Sequence, residues 1–202
     1  MVTAAVTDQD RTSGSPAQAE RRRRMLDATV ELASEGGFDA VQMREVAERA
    51  DVALGTLYRY FPSKIHLLVA ALDRELEATE GRTATRAARG DTAHERVTYV
   101  LGRMTRSLQK QPPLTEALVR AFMFADATVS DEIDAVGRHV TTSISRALAG
   151  DTTDHEATCE EAAVIRIIAD VWLTELVRWV TGRASAAEVE RSVGTAVGLL
   201  LP

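Results

Sequence analysis

Hydrophobic and polar positions in the first part of the chain recur with the spacing of helical faces. Between about residues 17 and 34, apolar side chains stand at i, i+3, i+4 and i+7, and Gly36-Gly37 interrupt the pattern. The same spacing predicts short helices at about 42–50 and 54–61, joined by Asp51-Val52-Ala53. The pattern therefore predicts three N-terminal helices, the last two of which are connected by a tight turn.

The helical spacing continues through six further segments. Pro62 ends the third helix, and Ser63 is placed to cap a long helix that runs to about Glu80. After a loop at about 81–91, proline and glycine separate the remaining predicted helices, which are 92–110, 114–125, 130–149, 156–182 and 186–201. Strand-type alternation is scarce. The sequence predicts an all-α protein of about nine helices.

Composition supports a folded helical protein without a membrane segment. The chain has 202 residues, of which 45% are hydrophobic, so it can bury a sizeable core. Residues 1–16 are small, polar and aperiodic and are expected to form a disordered arm. No signal peptide is expected, the sequence has no run of about 18 apolar residues, and its single cysteine, Cys159, excludes an internal disulfide. These features predict a cytoplasmic protein with no membrane partner.

The net charge of −6 does not exclude a nucleic-acid partner, because the charges are unevenly distributed. Residues 21–64 hold eight basic and seven acidic groups, and four of the basic ones form the run Arg21–Arg24. Phosphate binding depends on a local basic face and not on the total. The run is interpreted either as a solvated face or as a basic arm that reaches the DNA backbone or a minor groove.

The segment Met43–Lys64 has the pattern of a helix-turn-helix. In this motif two short helices are joined by a tight turn, and the second is presented to the major groove. A small apolar set is predicted to hold the two helices at a fixed angle: Val46, Ala47, Val52, Leu57 and Phe61. Gly55, near the start of the presented helix, has no side chain and permits a close approach of the backbone to DNA.

The stretch GFDAVQMREVAERADVALGTLYRYFPSK, residues 37–64, resembles the DNA-binding signature of the TetR family of bacterial transcriptional regulators. With the preceding helix, the resemblance covers about residues 20–80. It departs from the family pattern at the start of the second helix, where Val41 and Gln42 stand in place of the usual Ser or Thr. The departure puts the helix cap and its phosphate contact in question, but not the fold.

Carried onto this chain, the signature implies which residues meet double-stranded operator DNA. Arg44 is placed to donate to guanine O6 and N7, and Thr56 and Tyr60 offer hydroxyl groups to phosphates. Tyr58 contacts a thymine methyl group or the backbone, and Lys64 pairs with a phosphate. The full predicted set is Gln42, Arg44, Ala53, Gly55, Thr56, Tyr58, Tyr60 and Lys64. Taken singly, each tyrosine could also be a packed core residue, and Arg44 could be a solvated surface residue. The prediction of DNA contacts therefore depends on all of these residues occurring together.

The predicted helix at 156–182 is apolar on nearly every side, so every side must be covered. One face can pack on its own domain. The other is predicted to meet a twofold partner together with the last helix, in a four-helix interface. The residues predicted for that interface are Val177, Trp179, Val180, Val193, Val197 and Leu200. The alternative is a central core helix in a monomer.

Residues 101–124 carry flexible and aromatic side chains, which suit either a pocket for an apolar ligand or ordinary core packing. The middle helices of TetR-like proteins enclose the effector, so the resemblance favours a pocket. Its predicted lining is Leu72, Met104, Leu108, Leu118, Phe122, Trp172 and Leu176. An acidic effector needs a cationic anchor, for which Arg120, Arg82, Arg86 and Arg89 are candidates, each also explained as a solvated surface group.

Phrases such as LTEALVRAFMFADA and IIADVWL, outside the shared signature, resemble a subgroup of the TetR family, the actinobacterial repressors of cholesterol and steroid breakdown. The resemblance implies a homodimer that is released from a palindromic operator by a small apolar effector, either a steroid acid or its coenzyme A thioester. The alternative is regulation of fatty acid metabolism or drug efflux by an acyl-CoA or another hydrophobic compound. Ligand is expected to shift the fourth helix, so that the two recognition helices leave their spacing of about 34–36 Å.

The resemblance also divides the chain into domains. It implies a helix-turn-helix domain at 17–64, which continues into a connecting helix to about 80, and a ligand-binding and dimerisation domain at 82–202. No catalytic residue, cofactor or metal site is predicted. The motifs G-x-x-x-x-G-K-[ST], H-E-x-x-H and G-x-S-x-G are absent, and the four histidines are dispersed.

Overall fold

The structure is a computed structural model that describes residues 15–84, 89–150 and 158–201. Those residues form nine α-helices, one short 3-10 turn (η1) and no strand, which confirms the predicted all-α fold. The bounds are α1 Pro16–Ala40, α2 Met43–Arg49, α3 Leu54–Tyr60, α4 Lys64–Ala84, α5 Ala93–Gln109, α6 Pro112–Met123, η1 Ala127–Val129, α7 Ser130–Ala149, α8 Cys159–Val180 and α9 Ala186–Leu200. The predicted arm lies outside the described residues, apart from its last two.

A side-chain cap begins the first helix, and a pair of glycines interrupts it. Ser15 caps α1 in a capping box with Gln18. Gly36 and Gly37 break the helical geometry, and Gly37 has a left-handed φ of +68°. The double glycine thus stops the first run of helix as predicted, but one further helical turn follows it up to Ala40.

Side-chain caps also begin the later helices. The hydroxyl of Ser63 accepts the backbone N–H of His66 at 3.4 Å at the start of α4, as the sequence predicts. Capping boxes begin α5, α8 and α9. In the box of α9, Glu188 accepts the N–H of Ser185 at 2.7 Å, and this bond lowers the pKa of the Glu188 carboxyl below its ordinary value of 4.5.

The fold has an N-terminal head, α1–α3, and a helical body, α5–α9, which α4 connects. The residues 67–72 of α4 are all buried, because the helix packs on α1, α6 and α7 together. In the body, the indole N–H of Trp172 donates to the hydroxyl of Thr105 at 2.9 Å, and both side chains are buried. No helix in the part of the chain that the structure describes is long and apolar enough to cross a membrane.

Candidate functional site

Helices α2 and α3 form a tightly packed helix-turn-helix. Asp51 in the turn has a φ of +52°, a left-handed conformation that aspartate tolerates better than most residues. The next residue, Val52, donates its N–H to the carbonyl of Ala47 at 3.0 Å. The residues predicted to hold the two helices are buried, apart from the half-buried Val52: Val46, Ala47, Leu57 and Phe61. The angle between the helices is therefore fixed by a small apolar core.

The outward face of α3 carries Gly55, Tyr58 and Arg59. Leu57 is buried beneath it, whereas Tyr58 is 47% exposed. A Cβ added at Gly55 would meet no heavy atom within 4 Å, so the backbone there is open to a partner. Arg59 is exposed and has no ion-pair partner among the described residues. Arg59 is not among the residues predicted from the sequence, although its i, i+4 spacing from Gly55 places both on one helical face.

The starts of α2 and α3 lack side-chain caps. Gln42 and Ala53 are the capping residues, and neither side chain bonds to the first turn. Apart from Thr56, whose N–H donates to the carbonyl of Ala53 at 2.8 Å, the first-turn N–H groups are therefore left for water or for phosphate oxygens. Arg44 is exposed in the first turn of α2, again without an ion-pair partner among the residues described. Thr56 and Tyr60 are half-buried.

Lys64 does not project freely from the head. Its Nζ lies 3.9 Å from the centroid of the Phe38 ring, in a cation–π contact. Burial lowers the pKa of Lys64, and the nearby carboxylate of Asp39 opposes that shift. This contact does not test the interpretation of Lys64 as a phosphate ligand, which stays a prediction. The ammonium is held by an aromatic ring, and only its remaining N–H groups are available to a phosphate.

Three arginines of the run Arg21–Arg24 contact other side chains of the head. The guanidinium of Arg22 lies 5.5 Å from the centroid of the Phe61 ring. Arg23 bonds to carboxylates of its own helix, and Arg24 lies 3.7 Å from the carboxylate of Asp51. The basic run is therefore largely part of the folded head and not a separate arm.

An apolar cavity of about 220 Å³ lies in the body between α4, α5, α6, α7 and α8. Five of the seven residues predicted for the pocket line it: Leu72, Leu108, Phe122, Trp172 and Leu176. The remaining apolar wall consists of Leu76, Val119, Val136, Gly137, Val140, Ala169 and Leu173. The hydrogen bond to Thr105 fixes the orientation of the Trp172 ring in this wall.

Met104 and Leu118, the other two predicted residues, line a different cavity. It has a volume of about 430 Å³ and lies between α4, α5 and α6. Its walls are more polar and include Glu75, Ser107, Lys110, Gln111 and Thr115. Leu76 and Leu108 line both cavities, so the two are neighbours. The single predicted pocket is thus corrected to two adjoining ones.

Arg120 is not the cation of the apolar cavity. Its guanidinium lies 4.5 Å from the centroid of the Phe38 ring and 3.6 Å from the carboxylate of Asp39, at the head. The prediction of Arg120 as an effector anchor is therefore wrong for this arrangement. The apolar periodicity of α6 could not indicate which neighbour its polar side meets.

A different arginine, Arg166 on α8, lines the apolar cavity together with Asp170 and Thr141. Arg89 is exposed and lines neither cavity, and the side chains of Arg82 and Arg86 lie outside the described residues. Sequence reasoning missed Arg166 because it stands in an almost continuously apolar helix, where it reads as an isolated surface charge. Arg166 and Asp170 are both exposed, so the mostly apolar cavity has one basic and one acidic group where its wall meets solvent.

Helices α8 and α9 pack on each other and leave apolar side chains on their outer side. Ile167 is 42% exposed and Leu199 is 79% exposed. Four of the predicted interface residues are half-buried: Val177, Trp179, Val180 and Leu200. Val193 and Val197 are instead buried within the chain, because α9 also packs on α5. Their prediction as interface residues is corrected, and the outer face is carried by residues such as Leu199.

A helix-turn-helix head joined to an all-helical body defines the class of helix-turn-helix transcriptional regulators. The family model for bacterial regulatory proteins, tetR family, matches residues 25–71, and the model for the tetracyclin repressor-like, C-terminal domain matches residues 90–200. The chain belongs to the TetR family. It is a TetR-type transcriptional repressor, because relatives that are 50% and 52% identical to it over 93% and 99% of its length are repressors.

One such relative is the HTH-type transcriptional repressor KstR of Rhodococcus jostii (strain RHA1). The two are 52% identical over 200 residues, which is 99% of this chain and 91% of the relative. A TetR transcriptional regulator from Rhodococcus sp. RHA1 has a similar structure, with a TM-score of 0.84 and 33% identity over 92% of this chain and 97% of that chain. Thermus thermophilus FadR, in complex with lauroyl-CoA, gives a TM-score of 0.67 over 89% of this chain and 92% of that chain, and its 18% identity shows the fold alone.

Proposed function

We propose that this repressor binds a palindromic operator as a homodimer and is released from it by a small apolar effector. The apolar cavity in the body, lined on most sides by aliphatic and aromatic side chains, supports the proposal. A few polar groups on an apolar wall are typical of ligand sites in which the body of the ligand is buried and one end is oriented. Arg166 supplies such a group, so the proposed effector carries a negative charge or an acceptor at one end.

The size of the cavity bears on the mechanism. Its volume of about 220 Å³ is below the range of about 300–1,000 Å³ that ligand pockets usually have. A steroid or long acyl chain therefore has to separate the surrounding helices when it enters. In this proposal the described state is the contracted, operator-competent one, and ligand binding moves α4, α6 and α7 apart. A typical coupling of about 1–3 kcal/mol would change operator affinity by roughly 5–150-fold.

The outer face of α8 and α9 supports the homodimer. A palindromic operator requires two heads related by a twofold axis. Ile167 and Leu199 leave apolar surface exposed on adjacent helices, and a second copy would cover it. The four half-buried residues of the predicted interface lie on the same two helices. The repressor is proposed to act in the cytoplasm, where its operator lies.

We propose steroid or cholesterol catabolism, or related lipid catabolism, as the regulated process. The identity of 52% to a KstR repressor, and the resemblance to the subgroup that controls steroid breakdown, support a steroid acid or its coenzyme A thioester as the effector. The alternative is regulation of fatty acid metabolism or drug efflux by a straight-chain acyl-CoA or another hydrophobic compound. The same cavity and the fold shared with a lauroyl-CoA complex support that alternative.

A mobility-shift assay tests the proposal. DNA fragments flanking the gene are incubated with the protein, and a steroid acid, its coenzyme A thioester and lauroyl-CoA are added separately. We expect a shifted band that the steroid thioester abolishes and lauroyl-CoA does not. The reverse order of potency would establish the acyl-CoA alternative. A band that none of the compounds changes would refute the proposed effectors while leaving operator binding in place.

An arginine variant tests the proposed orientation of the ligand. Arg166→Gln should raise the effector concentration for half-release about tenfold, because a hydrogen bond to a charged group contributes about 1.5–3 kcal/mol. Arg191→Gln, on α9, removes an exposed arginine that lines neither cavity and serves as the matched control. Equal behaviour of the two variants would refute the role of Arg166 and leave the cavity assignment standing.

A further inference from the structure

Helix α6 contacts the DNA-binding head on one side and lines the apolar cavity on another. The contact between α1 and α6 is the most extensive between any two helices of the described chain. Val119 and Phe122 of α6 line the apolar cavity. Glu116 and Arg120, one helical turn apart on a different face, reach the end of α1. The helix is therefore placed between the site where ligand is proposed to bind and the head.

Glu116 holds the turn that ends α1. Its Oε2 accepts the backbone N–H of Phe38 at 3.0 Å, across 78 residues of sequence. Gly37, just before Phe38, has a left-handed φ, which favours glycine. A Cβ there would lie 2.9 Å from the same carboxylate oxygen. The backbone at this turn is thus shaped to bring an N–H group onto Glu116.

The ring of Phe38 lies between two cations. The Nζ of Lys64 is 3.9 Å from the ring centroid and the guanidinium of Arg120 is 4.5 Å from it. Arg120 also lies 3.4 Å from Glu116 and 3.6 Å from Asp39, so its position is set by carboxylates on both helices. Lys64 is the first residue of α4, directly after the helix-turn-helix. Phe38 therefore connects α6 to the residues on both sides of the helix-turn-helix.

Two further bonds flank this cluster. The hydroxyl of Ser34 donates to Oε1 of Gln111, just before α6, at 3.0 Å. The carbonyl of Thr128 in η1, just after α6, lies 3.0 Å from Nε2 of His66 and can only accept from it. The head and the first turn of α4 are thus bonded to the segment 111–128 at its start, its middle and its end. A shift of this segment would therefore have to break these bonds or move the head.

We propose that Glu116 is a positioning residue for operator binding. Through its bond to Phe38 it sets the orientation of the helix-turn-helix relative to α6, and the ring of Phe38 in turn holds Lys64. Glu116 is half-buried against α1 and is not among the residues predicted to meet DNA. Because α6 also lines the apolar cavity, a ligand that displaces α6 moves the head at this point and not through α4 alone. The inference rests on the proposed operator binding.

Operator affinity of three variants tests this role. The probe is the shortest upstream fragment of the gene that binds the wild-type chain, labelled for fluorescence anisotropy. Glu116→Ala should raise the operator Kd about tenfold at a temperature well below unfolding. Glu116→Gln should restore affinity to within about threefold of wild type, because the amide oxygen still accepts the Phe38 N–H. Thermal unfolding midpoints are measured on the same samples.

Glu190→Ala is the matched control. It removes a carboxylate of similar exposure that pairs with Arg106 at 3.0 Å, between α5 and α9 and away from the head. Its operator Kd should stay within twofold of wild type. An unchanged operator Kd in Glu116→Ala would overturn the inference even if the thermal unfolding midpoint fell, because the carboxylate would then only stabilise the fold. Equal losses in the Ala and Gln variants, or in the Glu190 control, would overturn it as well. A wild-type chain that binds no fragment would refute the proposed operator binding itself.

Discussion

Gly55 is the second residue of α3, and replacing it with alanine tests how closely that helix approaches DNA. An added Cβ at this position meets nothing within 4 Å, and the residue is exposed, so the folded chain accommodates the methyl group without strain. Alanine is favoured over glycine in a helix by about 0.5–1 kcal/mol. The free energy of unfolding of Gly55→Ala should therefore rise slightly or stay unchanged.

Operator affinity should change in the opposite direction. If the backbone at Gly55 approaches a phosphate or a base edge, the methyl group holds the helix away and breaks at least one hydrogen bond to a charged group. Such a bond contributes about 1.5–3 kcal/mol, which corresponds to at least a tenfold rise in Kd for each head. Fluorescence anisotropy on the operator fragment measures the Kd, and urea unfolding measures the stability of the same preparation.

Gly81→Ala is the matched control for this experiment. Gly81 is also an exposed helical glycine with nothing within 4 Å of an added Cβ, but it lies in the second half of α4, away from the head. It should show the same small change in stability with no change in operator affinity. An operator Kd for Gly55→Ala within twofold of wild type would refute the close approach of the α3 backbone to DNA.

Three further predictions concern other parts of the chain. Arg44→Ala should cost about 1–3 kcal/mol of operator binding and relax the preference at one base pair, whereas Lys64→Ala should weaken binding to all DNA sequences alike. Equal sequence preferences of the two variants in a competition assay would contradict these roles. Thr105→Val leaves the buried indole N–H of Trp172 without an acceptor and should lower the free energy of unfolding by about 1–3 kcal/mol in urea titrations, while Thr105→Ser should keep most of it. Because the bond to the Ser185 N–H lowers the pKa of Glu188, this cap contributes to the free energy of unfolding above pH 4.5, and the contribution is lost as the pH falls through the lowered pKa. Glu188→Gln should reduce that acid-dependent loss in unfolding experiments at a series of pH values. An unchanged dependence of stability on pH would contradict this prediction.

The number of helices, their approximate ends and the helix-turn-helix follow from the sequence. Apolar spacing, glycine pairs and Ser or Thr caps act over one or two helical turns, so the information is local. The core of the head illustrates this, because Val46 and Leu57 are separated by only eleven residues and both are buried as predicted. The TetR family was recognisable for the same reason, since its signature is one continuous stretch.

The tertiary structure alone decided which side chains meet across the fold. Arg120 was one of four candidate anchors for an acidic effector and lies instead on Phe38, whereas Arg166, which was not a candidate, lines the apolar cavity. Val193 and Val197 were predicted at a dimer interface and are buried in the chain's own core. Each of these depends on the rotation of a helix about its axis against neighbours many residues away. Periodicity states that a helix has an apolar face, but the packing of the surrounding helices determines what that face, and the polar residues beside it, come to touch.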